Sequence, residues 1–244
     1  IGDLVRIHLA GAQVLEPQRV HLMADDVDRI GQGLAVDTDR RRAEREELVP
    51  CGLDVLVQQH LLARDLGVLV ERTVAEFGGV DVVVNNAANP LAMPLGDITV
   101  DALTKSFEVN LRGPVMLVQE ALPHLKSSEH AAILNMVSIG AFIFAPVLSI
   151  YASMKAAMMS FTRSMAAEFV HHGIRVNALA PGPVDTDMMR KNPKEAIDGM
   201  VGGTLLGRLA SADEMVGAAL LLTSDAGSYM TGQVIMVDGG GTPR

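Results

Sequence analysis

The chain has 244 residues, a formal net charge of −9 and a single cysteine. The acidic balance argues against a nucleic-acid backbone or an anionic membrane as the main partner. One cysteine excludes an intrachain disulfide and a cysteine-rich zinc site, and it suits a reducing compartment, so we expect a cytoplasmic protein. No signal peptide is expected, because residues 1–15 include Asp3, Arg6 and His8 and have no clean apolar core.

The first 50 residues give weak structural signals. Residues 4–9 (LVRIHL) and 33–36 (GLAV) could form two strands, with a helix over 18–30 between them. The charged run 40–48 (RRRAEREEL) is typical of a solvent-exposed helix.

A third strand is expected at one of two places, 53–57 or 60–63. We favour 60–63, because Asp65 would then close the strand just before a helix over 66–77. A pair of glycines follows this segment and is typical of a helix end.

From residue 80 onward, short apolar runs alternate with longer helical patterns. Runs this apolar suit a parallel sheet that is covered on both faces. The alternation predicts one α/β domain over residues 1–244, a Rossmann-like doubly wound parallel sheet of about seven strands in three α/β/α layers. Strands are predicted at 80–85, 132–137, 174–179 and 234–237, and helices at 100–126 with a break near Gly113-Pro114, at 152–171, and at 211–222 with a capping box of Ser211 and Glu214.

The stretch 131–154 contains no charged residue and is long enough to span a bilayer. However, Asn135 and Ser138 are polar, and Pro146 would break a helix near its middle. We therefore expect no membrane span, and no membrane partner, from this stretch.

Tyr151 and Lys155 are four residues apart, which places them on the same face of the predicted helix. An ammonium near a tyrosine hydroxyl favours the phenolate, so we expect Lys155 to lower the pKa of Tyr151 and to make it a usable acid or base. Ser138 lies at the end of a predicted strand, where open α/β sheets bind ligands. Asn110 is a polar amide in an apolar helical pattern, and it is either a site residue or an amide that satisfies the helix backbone.

These four residues resemble the catalytic set of the short-chain dehydrogenase/reductase family, in its shorter, single-domain form. The resemblance implies that residues 81–244 are the catalytic and substrate half and that 1–80 are a weakly matching nucleotide-binding half. It rests further on NNAA at 85–88, PGPVDT at 181–186 and GQVIMVDGG at 232–240, in the order and spacing of the family.

The resemblance implies an NAD(P)-dependent oxidoreductase that acts on CH–OH donors and interconverts a secondary alcohol and a ketone. Tyr151 would be the proton donor in reduction and the base in oxidation, while Lys155 would lower its pKa and bind the nicotinamide ribose. Ser138 would hold and polarise the substrate carbonyl. Asn110 would position a water and Lys155 in a proton relay. The cofactor would supply the hydride.

The phosphate-binding loop of the family is poorly matched. Its glycines let the backbone approach the pyrophosphate at a helix N-terminus, whereas residues 10–17 read AGAQVLEP and keep only Gly11 in register. Glu16 would add an unfavourable negative charge beside phosphate. In a second alignment, which we disfavour, Ile1-Gly2 is the end of the glycine motif and an insertion precedes the helix near residue 70.

At the adenosine end, Asp37 would bind the ribose hydroxyls and favour NAD as the cofactor. The arginines at 40–42 could instead accept the 2′-phosphate of NADP, so NADP stays possible. Asp65 could hydrogen-bond the adenine amino group or cap a helix. The resemblance places further cofactor contacts at Tyr151, Lys155, Asn86, Ala87, Pro181, Gly182, Val184 and Thr186.

Three functions fit these residues: a working oxidoreductase, which we favour; a cofactor-impaired binding or scaffold protein on the same fold; and a related lyase or epimerase. Apolar segments at 139–150 and 188–206 would line the pocket, so we expect a small apolar carbonyl or alcohol substrate. No metal site is expected, because the histidines at 171–172 suit a helix C-terminus. The resemblance implies a homotetramer or homodimer that packs through the helices containing Asn110 and Tyr151 and through the last strand.

Overall fold

Five parallel strands form one sheet in the part of the chain that the structure describes. The structure is a computed structural model, and it describes residues 55–57 and 63–242. Neighbouring strands pair in chain order, each parallel to the next. The strands are β1 (Val55–Val57), β2 (Val82–Asn85), β3 (Ala132–Met136), β4 (Arg175–Pro181) and β5 (Val234–Val237).

The four strands predicted after residue 80 are confirmed, each within two residues of its predicted ends. Their apolar residues form the buried centre of the sheet, which is why the sequence pattern marks them clearly. The elements predicted at 4–9, 18–30, 33–36 and 40–48 lie outside the described residues.

Helices connect these strands on both sides of the sheet. The capping box predicted before the last helix is present, since the Glu214 carboxylate accepts a hydrogen bond from the Ser211 N–H at 2.8 Å. The helices of the described residues are α1 (Ala63–Phe77), α2 (Val100–Phe107), α3 (Gly113–Leu125), α4 (Ser149–Phe169), α5 (Asp187–Arg190), α6 (Lys194–Gly202) and α7 (Val216–Thr223).

Apolar side chains cover both faces of the sheet. Successive strand residues point to opposite faces, so Val83 packs with α1, α3 and α4, while Val82 and Val84 pack with α7. This confirms the α/β class with helices on both sides of a parallel sheet. The buried partners include Leu66, Leu117, Ile133, Met165 and Val176 on the first face and Leu134, Leu179, Ala219 and Leu222 on the second.

The favoured position of the third strand is wrong. β1 lies at Val55–Val57, within the alternative segment 53–57, and α1 already begins at Ala63, so Asp65 lies inside the helix rather than before it. Valine favours strands, whereas the leucines and the alanine of 60–63 favour helices. β1 also pairs directly with β2, which is the fourth strand of the predicted set. In the order 3-2-1-4-5-6 of a doubly wound sheet the fourth strand lies next to the first, so Val55–Val57 takes the place of a first strand and not of a third.

The predicted break at Gly113-Pro114 is replaced by a π-helical turn. The backbone stays in the right-handed helical conformation through Gly113. Pro114 has no N–H for the carbonyl of Asn110, four residues earlier. The chain absorbs this lost bond in the turn Glu108–Arg112, where the Gly113 N–H reaches back five residues to the Glu108 carbonyl. Asn110 therefore lies in the irregular turn of an otherwise continuous helix.

The uncharged stretch 131–154 folds into β3, a turn and the first residues of α4. α4 ends at Phe169, and a short 3-10 turn leads from it to Gly173, whose φ of 73° suits glycine. Among the residues with described placement, no helix is both long and apolar enough to cross a membrane.

Candidate active site

Three of the predicted catalytic side chains gather at the carboxyl end of β3. Ser138 follows this strand after one residue, and Tyr151 and Lys155 lie on the first two turns of α4. The carboxyl ends of parallel strands are where open α/β sheets bind ligands. We call Ser138, Tyr151 and Lys155 the Ser–Tyr–Lys cluster.

A local turn holds Ser138 in place. Its Oγ accepts a hydrogen bond from the Gly140 N–H at 3.1 Å, at the start of the 3-10 turn Ile139–Ala141. The Val137 N–H donates to the Leu179 carbonyl at 2.8 Å, which ties the end of β3 to β4. Because Oγ is the acceptor in its turn, the hydroxyl hydrogen of Ser138 is still able to donate to an oxygen in the cleft.

Lys155 is buried, with 3% of its surface exposed. Its Nζ donates to the Met136 carbonyl at 2.7 Å, and it lies 5.6 Å from the centroid of the Tyr151 ring. An ammonium carries three donors, and the hydrogen bond to Met136 uses one of them. Burial lowers the pKa of Lys155 to about 8.

The pKa of Tyr151 is raised above its usual 10.0. The main cause is burial, which disfavours the phenolate, and a hydrogen bond with Ser138 offsets part of the rise. The net shift is opposite to the predicted lowering, because the burial of the ring dominates. Tyr151 is therefore a neutral phenol with a proton to donate at neutral pH.

Asn110 clamps the segment that follows β2. Its Oδ1 accepts from the Asn89 N–H at 3.0 Å, and its Nδ2 donates to the Asn89 carbonyl at 2.9 Å. The same Nδ2 donates to the Ser106 carbonyl at 2.9 Å and contacts Ser106 Oγ at 3.1 Å. The amide thus pairs with main-chain groups on two sides, and among the described residues no hydrogen bond joins it to Lys155.

The sequence did not reveal the partners of these polar groups. The Met136 carbonyl and the main chain of Asn89 carry no side-chain signal that a motif could contain. Ser106 and Asn110 are four residues apart, a spacing that brings two side chains together on a helix. Among these contacts, only the pair Ser106 and Asn110 could be predicted from the sequence.

Gly182 lies where two chain segments meet closely. Its N–H donates to the Val237 carbonyl at 3.0 Å. A Cβ atom here would lie 2.7 Å from the Cα of Asp238, so only glycine fits. Pro181, the last residue of β4, and Gly182 therefore hold the predicted cofactor segment against the end of β5.

The main-chain N–H and carbonyl of Val184 are not used in its pairing with Ala210. It forms a parallel bridge opposite Ala210, in which Ala210 bonds with the Pro183 carbonyl at 3.0 Å and the Asp185 N–H at 2.8 Å. In a parallel pair, the N–H and carbonyl of the bridged residue point away from the partner. Val184 thus presents a donor and an acceptor on the other side. Thr186 begins α5, where its Oγ1 accepts from the Met189 N–H at 3.2 Å.

The structure describes some of the remaining predicted cofactor residues. Asn86 and Ala87 follow β2 and are half-buried, and the Asn86 N–H donates to the Val84 carbonyl at 3.1 Å. Gly11, Asp37 and the loop 10–17 lie outside the described residues, as does the side chain of Asp65.

A family model described as enoyl-(acyl carrier protein) reductase matches residues 31–242. General stress protein 39 of Bacillus subtilis is 40% identical over 173 residues, which are 70% of this chain and 60% of that protein. Cis-4-hydroxycyclohexanecarboxylate dehydrogenase of Sinomonas cyclohexanicum is 38% identical over 176 residues, 71% of this chain and 70% of that enzyme. The chain thus spans about 60% of the length of the Bacillus relative.

Solved structures share the same fold. A blue fluorescent protein from a metagenomic library, in complex with NADPH, superposes with a TM-score of 0.70 at 30% identity, covering 74% of this chain and 72% of that one. A short-chain dehydrogenase/reductase of Serratia marcescens has a TM-score of 0.70 at 28% identity, covering 74% and 73%. ElxO with NADP bound has a TM-score of 0.68 at 27% identity, covering 73% and 74%.

Proposed function

Because the chain belongs to the short-chain dehydrogenase/reductase family, we propose that it is an NAD(P)-dependent oxidoreductase that interconverts a secondary alcohol and a ketone. The observation that carries this proposal is the Ser–Tyr–Lys cluster. A protonated Tyr151, a hydroxyl donor at Ser138 and a buried ammonium at Lys155 lie together at the carboxyl end of β3. This is the set that reduction of a carbonyl group requires.

In the proposed reduction, the substrate carbonyl oxygen accepts a hydrogen bond from Ser138 and the proton from Tyr151 Oη. A bound nicotinamide would supply the hydride to the carbonyl carbon and would itself be oxidised. Tyr151 is left as a phenolate, which then takes a proton from solvent. The Lys155 ammonium stabilises the phenolate while it lasts. In oxidation the phenolate removes the hydroxyl proton.

The described residues fit the nicotinamide end of the proposed cofactor. Lys155 has donors beyond the one that Met136 accepts, which suits the hydroxyls of a ribose. Val184 offers both a main-chain donor and an acceptor, as a carboxamide requires. Asn86 and Ala87 would lie along the adenosine. Two structural neighbours hold NADPH or NADP, while Asp37 favours NAD, so we propose NAD with NADP as an alternative.

We propose an apolar ketone or alcohol as the substrate. Phe144, in the loop between Ser138 and Tyr151, is fully exposed, and Leu205, against the Gly240 turn, is 88% exposed. Both residues belong to the segments 139–150 and 188–206 that the sequence predicts to line the pocket, and a contiguous exposed apolar patch is typical of a ligand-binding surface. A free sugar or a small charged acid would leave such a surface unused.

We propose that the chain forms a homo-oligomer through α3 and α4. These helices frame a surface concavity of about 450 Å³ whose apolar lining includes Leu111, Val115 and Phe161. Ala157, on the same face, allows a close approach, so Ala157→Arg should shift the mass measured by light scattering toward a monomer. An unchanged mass would refute this interface.

The proposal is tested with a panel of apolar ketones and both reduced cofactors. Tyr151→Phe should abolish turnover and leave cofactor binding intact, because only the transferable proton is removed. Binding is followed by thermal shift, since the chain contains no tryptophan for energy transfer. Retained turnover in Tyr151→Phe would refute the role of Tyr151. A wild-type protein that millimolar cofactor does not stabilise would refute the enzyme proposal itself.

A further inference from the structure

A line of three buried polar side chains crosses the core from β2 to α4. Asn85 Nδ2 donates to Asn135 Oδ1 at 2.7 Å, and Asn135 Nδ2 donates to Thr162 Oγ1 at 2.9 Å. The Thr162 hydroxyl then donates to the Met158 carbonyl of its own helix at 2.8 Å. None of the three side chains is more than 3% exposed. We call these residues the amide line.

The amide line lies on a face of the sheet that is otherwise covered by apolar residues. On the same face of the sheet, Val83 and Ile133 precede Asn85 and Asn135 by two residues and pack with apolar helix residues. Buried polar side chains add little net stability over apolar ones of similar shape, but they are costly when one partner is lost. Their advantage is direction, because a hydrogen bond fixes distance and angle.

The amide line joins β3 and α4 close to the hydrogen bond of Lys155, so the orientation that it imposes affects the site. Asn135 is the residue before Met136, whose carbonyl accepts the hydrogen bond of Lys155. Thr162 is seven residues after Lys155, two helical turns away on the same buried face of α4. Two adjacent residues of β3 therefore hold α4 at two points. Apolar contact depends weakly on the rotation of a helix, whereas hydrogen bonds at two points along it fix both its rotation and its position along the axis.

We infer that Asn135 and Thr162 are positioning residues, which lock α4 against β3 and thereby set the geometry of the Ser–Tyr–Lys cluster. This inference rests on the proposed function for its kinetic consequence. The lock acts through α4, because neither residue is part of the cluster. Small displacements of a reacting group cost large factors in rate, about 100-fold for 1 Å.

The first test is a titration that does not depend on activity. The chain has two tyrosines and no tryptophan, and Tyr229 is fully exposed. In a Tyr229→Phe background, the near-ultraviolet absorbance of tyrosinate therefore reports Tyr151 alone. Thr162→Val keeps the shape of the side chain and removes its hydroxyl. We expect it to move the midpoint of Tyr151 by at least half a pH unit, toward the ordinary value as the burial of the ring relaxes.

Two control variants separate positioning from general destabilisation. Thr162→Ser keeps the hydroxyl and should titrate as the wild type does. Thr223 is an equally buried threonine whose hydroxyl donates to the Ala219 carbonyl within α7, at 2.8 Å. Thr223→Val therefore removes a comparable hydroxyl away from α4, and it should leave the midpoint of Tyr151 unchanged. If Thr162→Val does not fold, Thr162→Cys replaces it. Its thiol accepts a hydrogen bond only weakly, so the midpoint of Tyr151 should still move, by less than half a pH unit.

The second test is kinetic. Thr162→Val should lower kcat about 10- to 100-fold with little change in the KM of the cofactor, and Thr162→Ser should restore it. Equal titration of Tyr151 in Thr162→Val and Thr223→Val would overturn the inference. A wild-type protein without turnover would overturn the proposed function instead, and the titration would still decide whether the lock exists.

Discussion

The two faces of the sheet attach their helices at different points. On one face, Lys155 of α4 donates to the Met136 carbonyl and Asn135 donates to Thr162, so hydrogen bonds join β3 to α4 at two places. On the other face, α7 packs through Ala219 and Leu222 against apolar strand residues, and Arg175 of β4 donates to the Leu222 carbonyl at 2.9 Å, near the end of the helix. The hydrogen bonds of α4 include a residue of the Ser–Tyr–Lys cluster, whereas that of α7 includes none.

This contrast teaches that apolar contact stabilises both faces, whereas the hydrogen bonds of α4 also set the geometry of the site. Apolar contact gives a large free energy that depends weakly on angle, since it follows the area removed from water. Hydrogen bonds give less net free energy but define orientation. Variants that remove the α4 hydrogen bonds should therefore change activity first, and apolar truncations on the α7 face should change stability first.

The largest expected effect is on activity, from Lys155→Met. This variant removes the buried ammonium but keeps most of the side-chain volume. We expect kcat to fall at least about 100-fold, because the Tyr151 phenolate loses its stabilising charge. A loss of this size is typical when general acid–base catalysis is removed. The measurement is turnover of the best ketone at saturating cofactor. Lys126→Met, at an exposed lysine at the end of α3, is the matched control and should change kcat little.

The next largest effect is on stability, from Leu222→Ala on the α7 face. Leu222 is fully buried, and a cavity of this kind costs about 2–5 kcal/mol of unfolding free energy. Denaturant unfolding measures that loss, while kcat below the unfolding transition should stay near the wild-type value. A large fall in kcat without a loss of stability would contradict the separation of the two faces.

The pH dependence of the unfolding free energy tests the burial of Lys155 on the α4 face. Burial lowers the pKa of Lys155 from 10.5 to about 8, so between those values the unfolded chain binds the proton that the folded chain has released. The unfolding free energy should therefore rise from about pH 8 to pH 10, by up to about 3 kcal/mol. Above pH 10 the raised pKa of Tyr151 acts in the opposite direction.

The control for this pH dependence is Lys155→Met, in which the rise between pH 8 and 10 should disappear. Urea unfolding at several pH values measures it. A wild-type protein whose unfolding free energy falls across this range would contradict the assignment to Lys155.

The smallest expected effect concerns the loop that leads into α4. Val147 has a φ of 59°, in the left-handed region that a β-branched residue rarely adopts. Its carbonyl accepts from the Met93 N–H at 2.7 Å, which holds it there. Val147→Gly should relieve this strain and stabilise the protein by about 1 kcal/mol, or about 2–4 °C in Tm. Val147→Ala keeps the Cβ and should give a smaller gain in a thermal melt.

Local patterns in the sequence correctly predicted much of the fold. The strands at β2 to β5 are apolar runs that a covered parallel sheet requires, and the Ser211–Glu214 capping box marks a helix start by its spacing. The third strand was misplaced because the choice between 53–57 and 60–63 was made on one carboxylate rather than on strand propensity. The helix break at Gly113-Pro114 was misread because a π turn can absorb a missing N–H without ending a helix.

The sequence by itself determined the residue types of the site, since Ser138, Tyr151 and Lys155 form a motif with fixed spacing along one strand and one helix. Only the tertiary structure decided their electrostatics and their support. Burial, which depends on every neighbour, raises the pKa of Tyr151 where spacing alone predicted the opposite. The partners of Lys155 and Asn110 are main-chain groups of Met136 and Asn89, and such groups carry no sequence signal because every residue has them.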